Sequence, residues 1–302
     1  MNGVETTIAH EAHGEGIGLH TGRETRIALK PAPAGSGVRF RRIDLSNGKD
    51  EDATIVAGPS AVADTRLGVR LARADYSVMT VEHLMAAFAL TGVDNVLVEV
   101  DGPELPIFDG SVGPFIDLIE SAGVKALDTP RRAIEIRAPM RVEDGDRFVE
   151  IAPYAGRRVE LSIDYADAAI GAASLAFDLG DGGLHRRLAS ARTFCSRRDI
   201  DGMRAAGFAQ GGALDNAIVV DGDRILNGPL RDPQEFALHK AVDLIGDFAL
   251  LGAPVRGLIR AHKPGHDLNT RLVRSIAEAT NCHPVRAAAR SAAAQTRDLG
   301  RQ

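Results

Sequence analysis

Four ionisable side chains recur at every fourth position in one stretch of this 302-residue chain: Glu235, His239, Asp243 and Asp247. On a helix of ~3.6 residues per turn they form a narrow stripe that drifts by about 40° per step. Phe236, Ala237, Ala241, Val242, Leu244, Ile245, Phe248 and Ala249 cover most of the remaining circumference. A helix that apolar is buried on more than one side, and carboxylates or an imidazole on it are costly to desolvate unless paired or bound to a metal. His239 and Asp243, at i and i+4, lie over the same spot and suit two ligands of one cation. Taken alone, an internal His–Asp hydrogen bond without metal accounts for the pair at least as well.

Two further histidines have chemically suggestive neighbours. His83 follows Glu82 in a second apolar run, and His266 follows Lys263-Pro-Gly265 in what reads as a loop. If His83 meets His239 and Asp243, they provide three N/O ligands and leave one position open, the arrangement of catalytic rather than structural zinc. Such a cation lowers the pKa of a water it holds to roughly 7. Glu82 could accept that proton, and Asp247 could orient His266 as an imidazolium that protonates a leaving group. His10, His13, His185 and His283 read as surface residues, and His262 as half-buried at a strand end. Periodicity does not decide whether the helices carrying these groups meet.

The elements that must position them can be traced from caps and alternation. Asp232 as N-cap, Pro233 at the first helical position, Glu235 closing a capping box and Gly252 past the end predict a helix over 233–251. Thr80 as N-cap and Gly92 bound a helix over 81–91. The glycine cluster Gly14–Gly22 suits a tight hairpin or a phosphate-wrapping turn. Strands are expected at Thr25–Lys30, Val38–Arg42, Asp94–Val100, Ala133–Arg137, Met140–Val142, Phe148–Ala152, Val159–Tyr165, Ile218–Val220, Arg224–Leu226 and Arg256–Ala261. Helices are expected at Val112–Ala122 and from about Asn269 to Thr280, and a frayed tail over Arg286–Gln302. Gly123–Arg131 is the best linker candidate, and Leu184–Ala213 looks like an insertion. Asp94-Asn-Val-Leu-Val and Asp215-Asn-Ala-Ile-Val each put the same dipeptide before a strand, which suggests two related halves. One long apolar helix among several strands in each half predicts an α+β layered fold rather than a doubly wound parallel sheet. The expected domains are 1–127 and 128–302.

Composition narrows the partners. With 36 Lys and Arg against 41 Asp and Glu, the net charge of −5 argues against phosphate-backbone binding, so no nucleic acid is expected. Cys195 and Cys282 make no ligand or redox spacing, which suits a reduced, cytoplasmic compartment. No signal peptide is visible, and no run approaches 18 apolar residues, so no transmembrane segment is expected.

Several blocks of the chain resemble the zinc-dependent UDP-3-O-acyl-N-acetylglucosamine deacetylases of Gram-negative bacteria. They are Gly16-Ile-Gly-Leu-His-Thr-Gly22, Thr80-Val-Glu-His-Leu-Met-Ala-Ala, Glu104-Leu-Pro-Ile-Phe-Asp-Gly-Ser111, Val142-Glu-Asp-Gly-Asp146, Ala191-Arg-Thr-Phe194, Asp215-Asn-Ala-Ile-Val-Val-Asp221, His239-Lys-Ala-Val-Asp-Leu-Ile-Gly-Asp247 and Gly265-His266. They run in family order along nearly the whole chain. The resemblance implies Zn2+ on His83, His239 and Asp243, Glu82 as general base, and His266 as general acid held by Asp247. It implies that Thr193 and Lys240 stabilise the oxyanion and contact substrate, and that Leu19, His20, Phe194, Arg147 and Lys263 line the substrate site. Arg147 stands where the family often has Lys, and Cys195 where it commonly has a small residue. The implied fold is two similar α+β domains, each with an insertion, the second insertion shaping a passage for an acyl chain. The partner implied is a small molecule, UDP-linked acylated glucosamine, and a monomer is expected. The alternatives are a zinc hydrolase of the same fold acting on another acetamido sugar, and a catalytically dead sugar-nucleotide binding protein.

Overall fold

The computed structural model describes residues 3–45, 53–180 and 182–280. The expectations for Cys282, His283 and the tail from Arg286 lie outside these residues. The fold is mixed α+β, and its two halves repeat one plan. In the first half, strands β2 (Ala12–Ile17), β3 (Glu24–Pro31), β4 (Val38–Arg42), β5 (Thr54–Val56) and β9 (Val96–Val100) form a sheet in the order β2-β3-β9-β4-β5. In the second, β12 (Met140–Asp144), β13 (Arg147–Ala152), β14 (Arg157–Asp164), β15 (Ala172–Asp178) and β19 (Val255–His262) stand in the order β12-β13-β19-β14-β15. Each sheet has one parallel pair along this order, β4 with β9 and β14 with β19, and β11 (Ile134–Glu135), off this order, also pairs parallel with β19. Alternation supplies the buried faces: Thr25, Ile27 and Leu29 on β3, Val159, Leu161 and Ile163 on β14.

Each sheet's fifth strand is followed by an insertion containing a small three-stranded sheet. The first comprises β6 (Val62–Asp64), β7 (Arg70–Arg73) and β8 (Tyr76–Val78). The second comprises β16 (Phe194–Ser196), β17 (Ile218–Asp221) and β18 (Arg224–Ile225), with helices α3 (Gly182–Ser190) and α4 (Arg197–Ala205). A buried helix, a central strand and a second helix then close each half: α1 (Glu82–Thr91), β9 and α2 (Gly113–Ala122), then α5 (Glu235–Ala249), β19 and α6 (His266–Thr280).

Several sequence expectations need correction. Residues expected to link the halves form a strand, β10 (Val124–Pro130), antiparallel to β1 (Val4–Ile8), with Pro130 at its end where a missing N–H is tolerated. Asp94-Asn95 precedes β9, but Asp215-Asn216 precedes β17, which is not the strand equivalent to β9. The repeat is therefore carried by strand order and not by that dipeptide. Helix α5 starts at Glu235, two residues later than expected. Asp232 Oδ1 accepts the Gln234 N–H, while the Glu235 carboxylate turns to Arg192 and to the Arg231 N–H instead of closing a capping box. Thr80 has φ of 57° and donates its hydroxyl to Glu104 rather than capping α1. His266 is the first residue of α6 and not a loop residue.

The two halves are joined most intimately where α1 crosses α5. Gly246 makes that crossing possible, since a Cβ there would lie 2.1 Å from the Glu82 carbonyl oxygen. Both partners are helix backbone and cannot swing aside as a side chain would. Gly246→Ala is expected to destabilise the protein by ~1–3 kcal/mol or more, a fall of roughly 2–12 °C in Tm by calorimetry. An unchanged Tm would show that the crossing adjusts freely.

Candidate active site

The α1–α5 crossing brings His83, His239 and Asp243 together, all buried, with one ligand atom from each within 4.8 Å of the others. Asp243 Oδ1 lies 3.4 Å from His239 Nε2 and 3.9 Å from His83 Nε2, and the two imidazoles meet edge to face. His239 Nδ1 donates to the Ala191 carbonyl at 3.1 Å, which leaves Nε2 as the free lone pair facing the cluster. Burial lowers both imidazoles, His83 to about 3, so both are neutral near pH 7. Burial opposes ionisation of Asp243, but Lys240 and His239 outweigh it and hold the carboxyl far below its usual range. Two neutral nitrogens and one carboxylate oxygen form a donor set suited to zinc. Ligands held ~2.0–2.1 Å from a tetrahedral zinc stand about 3.3 Å apart, which the His239–Asp243 spacing of 3.4 Å matches and the His83–Asp243 spacing of 3.9 Å exceeds by a small movement.

On one side of this cluster Glu82 is buried at the start of α1, its Oε2 accepting the Val69 N–H at 2.9 Å. Gly68 leaves the space beside Oε1 open: a Cβ there would stand 2.9 Å from that oxygen. Burial raises the Glu82 carboxyl to about 7, which suits a group that must take up a proton near neutral pH. His266 Nε2 lies 3.8 Å from Glu82 Oε1, while its Nδ1 meets both oxygens of Asp247 at 3.1 and 2.9 Å. Burial disfavours the imidazolium, but the Asp247 carboxylate outweighs it, followed by Glu82 and Asp243, and raises His266 to about 10.

The remaining predicted residues are placed unequally. Lys240 Nζ donates to Asp243 Oδ2 at 2.8 Å and stands 5.5 Å from the centre of the Phe194 ring. Phe194 packs edge to face on Phe236 and faces His239 at 6.2 Å between ring centres. Thr193 is half-buried, its N–H bound to Gly110 O from the first half. The glycine cluster forms the β2–β3 hairpin, with Leu19 and His20 in its turn. His20 Nε2 is 3.0 Å from Leu67 O, next to Gly68. The carbonyls of Leu19 and His20 accept N–H bonds from Gly211 and Gln210 of the second insertion. Arg147 and Lys263 form a separate cluster: Arg147 binds Lys263 O and Asp267, and Lys263 Nζ reaches Asp146 at 2.7 Å and Asp164 at 3.1 Å.

Two contributors escaped the sequence reading. Asn269 donates to Asp247 Oδ2 at 2.8 Å, one turn beyond His266 on α6. Its i+3 spacing from His266 was the available signal. Glu104 is fully buried and accepts the N–H groups of His20 and Thr21 and the hydroxyls of Thr21 and Thr80. A lone carboxylate within Glu104-Leu-Pro-Ile-Phe was its signal.

Three ligand-type groups converging beside a carboxyl and an imidazole that lie 3.8 Å from each other make an arrangement suited to metal-assisted hydrolysis. Residues 5–278 match the family model described as UDP-3-O-acyl N-acetylglycosamine deacetylase, and the chain belongs to that family. Its relatives include the UDP-3-O-acyl-N-acetylglucosamine deacetylases of Anaeromyxobacter sp. (strain Fw109-5), 45% identical over 93% of this chain and 91% of the relative, and of Phenylobacterium zucineum, 43% identical over 93% and 95%. The Vibrio parahaemolyticus protein of the same description is 43% identical over 86% of each chain. The chain is accordingly a hydrolase acting on an amide. Among the described residues, no helix is long and apolar enough to cross a membrane.

Proposed function

We propose that the chain removes the N-acetyl group of UDP-3-O-(3-hydroxyacyl)-N-acetylglucosamine, yielding the free amine and acetate, as a zinc enzyme early in lipid A assembly. The observation that carries this reading is the convergence of His83, His239 and Asp243 beside Glu82 and His266, in a chain whose relatives bear that name along their length. His83, His239 and Asp243 would hold the Zn2+, which when bound supplies a Lewis acid for the acetamide carbonyl and for the attacking water. Glu82 takes the proton of that water at Oε1. His266 presents a proton on Nε2 to the departing nitrogen, while Asp247 holds Nδ1–H and Asn269 holds Asp247. Lys240 and Thr193 flank the developing oxyanion, and Phe194 forms an apolar wall beside it. Leu19 and His20 border the sugar, and Arg147 and Lys263 serve the nucleotide end.

We assign residues 1–127 and 128–302 to two domains with the site between them; the repeated strand order supports two such halves, and the pairing of β10 with β1 carries the first of them on to Pro130. Action as a cytoplasmic monomer belongs to the same reading. Incubating the purified protein with the UDP-linked substrate should release amine and acetate in equal amounts. No release from it, with release from a different acetamido sugar, would move the specificity elsewhere, and release from neither would leave a binding protein. If the insertion over 184–213 shapes an acyl passage, kcat/KM should fall steeply for substrate lacking the 3-O-acyl chain, because remote apolar contacts contribute binding energy expressed in the transition state. Equal values for the two substrates would reject that role.

A further inference from the structure

One buried ion pair lies a helical turn from the metal cluster and takes no part in the roles above. Glu235, at the first turn of α5, is fully buried and accepts four hydrogen bonds. Arg192 supplies three of them: Nε at 2.8 Å and the backbone N–H at 3.1 Å to Oε1, and a guanidinium NH2 at 3.2 Å to Oε2. The Arg231 N–H supplies the fourth at 2.6 Å, and the guanidinium also reaches Pro229 O at 3.1 Å.

The neighbours on both sides of this pair are site residues. Ala191, just before Arg192, offers the carbonyl that receives His239 Nδ1–H, and His239 stands one turn after Glu235 on the same face of α5. The segment 191–194 is therefore fastened to α5 at two successive turns, Arg192 to Glu235 and Ala191 to His239. Thr193 and Phe194 follow directly. His83 Nδ1, by contrast, is buried with no hydrogen-bond partner among the described residues. Of the two imidazoles in the cluster, only His239 has its ring held by such a bond.

We propose that the Arg192–Glu235 fork is a positioning device for the metal seat: it holds the Ala191 carbonyl where it fixes the ring angle and tautomer of His239, and with it the placement of Thr193 and Phe194. Stability alone is a poor explanation for the pair, because desolvating two charges offsets most of what their attraction contributes. A two-point grip supplies orientation that a single contact does not. The proposal rests on the reading of His239 as a zinc ligand.

The test measures zinc affinity by chelator competition, and Tm of the zinc-free protein, for full-length wild type, Arg192→Lys, Arg192→Met, Glu235→Gln and His239→Ala. Loss of an outer partner of a ligating histidine typically costs about 10–100-fold in metal affinity. Arg192→Met and Glu235→Gln should show that loss. Arg192→Lys keeps the charge but not the fork, so it should restore the zinc-free Tm while leaving zinc binding at least about threefold weaker than wild type. Should Arg192→Met or Glu235→Gln fail to fold, Arg192→Lys decides alone. Wild-type zinc affinity in Arg192→Lys would overturn the proposal and leave a purely structural ion pair. Undiminished zinc in His239→Ala, or none in wild type, would instead overturn the ligand reading beneath it.

Discussion

Glu82→Gln is expected to retain zinc and lose roughly 10²–10⁴-fold in kcat, the range over which a positioned general base contributes. The amide has nearly the same shape as the carboxylate, and its oxygen can still accept the Val69 N–H that holds Oε2. It lacks the negative charge and the capacity to take up a proton. Since burial raises Glu82 to about 7, the wild-type rate should climb as pH rises through the neutral range, where the carboxyl ionises. A dication alongside favours the ionised form and moves this limb to lower pH. Equal kcat for Glu82→Gln and wild type, with zinc present in both, would remove Glu82 from the proton-accepting role.

His266→Ala should also keep zinc and lose roughly 10²–10⁴-fold, for a complementary reason. An amide anion is too poor a leaving group, so nitrogen must be protonated as its bond to carbon breaks. Asp247 and Glu82 raise His266 to about 10, so the imidazolium is present at neutral pH and is lost as pH rises through that value. A nearby dication lowers the group and moves this limb toward neutrality. The full kcat/KM profile is thus expected to be a bell with its acid limb from Glu82 and its alkaline limb from His266, both limbs being properties of a coupled site. In His266→Ala the alkaline limb should flatten. A residual activity that keeps the wild-type alkaline limb would pass the acid role to Lys240 or to water.

The residues of the candidate site were more legible in the sequence than the framework that gathers them. Charged side chains on helices otherwise covered by Phe, Leu, Val and Ala demand an explanation, and His83, His239 and Asp243 stood out for that reason. The ordered family blocks then joined helices that periodicity could not join. The same four-residue stripe misled at Glu235, which reads as a capping-box residue because its partner Arg192 is 43 positions away. Local pattern carries no information about such a partner. Strands β5 to β8 went unread within a polar stretch because they are three or four residues long, too short to show alternation. The strand β10 resembled a linker because its pairing partner, β1, lies at the other end of the first half. Thr80 is a residue type that favours N-caps, but the buried Glu104 carboxylate offers its hydroxyl a stronger acceptor, and its backbone lies at positive φ instead of the extended conformation of a cap.

The central claim, that His83, His239 and Asp243 form one zinc seat on which amide hydrolysis depends, is tested most directly by metal removal and return. Wild-type protein stripped by a chelator should lose deacetylation of the UDP-linked acylated sugar and regain it with one equivalent of zinc. His239→Ala and Asp243→Ala should fail to hold that equivalent by elemental analysis and should stay inactive, since each lacks one of only three protein ligands. Full deacetylation by metal-free wild type, or full zinc occupancy in both variants, would contradict the account.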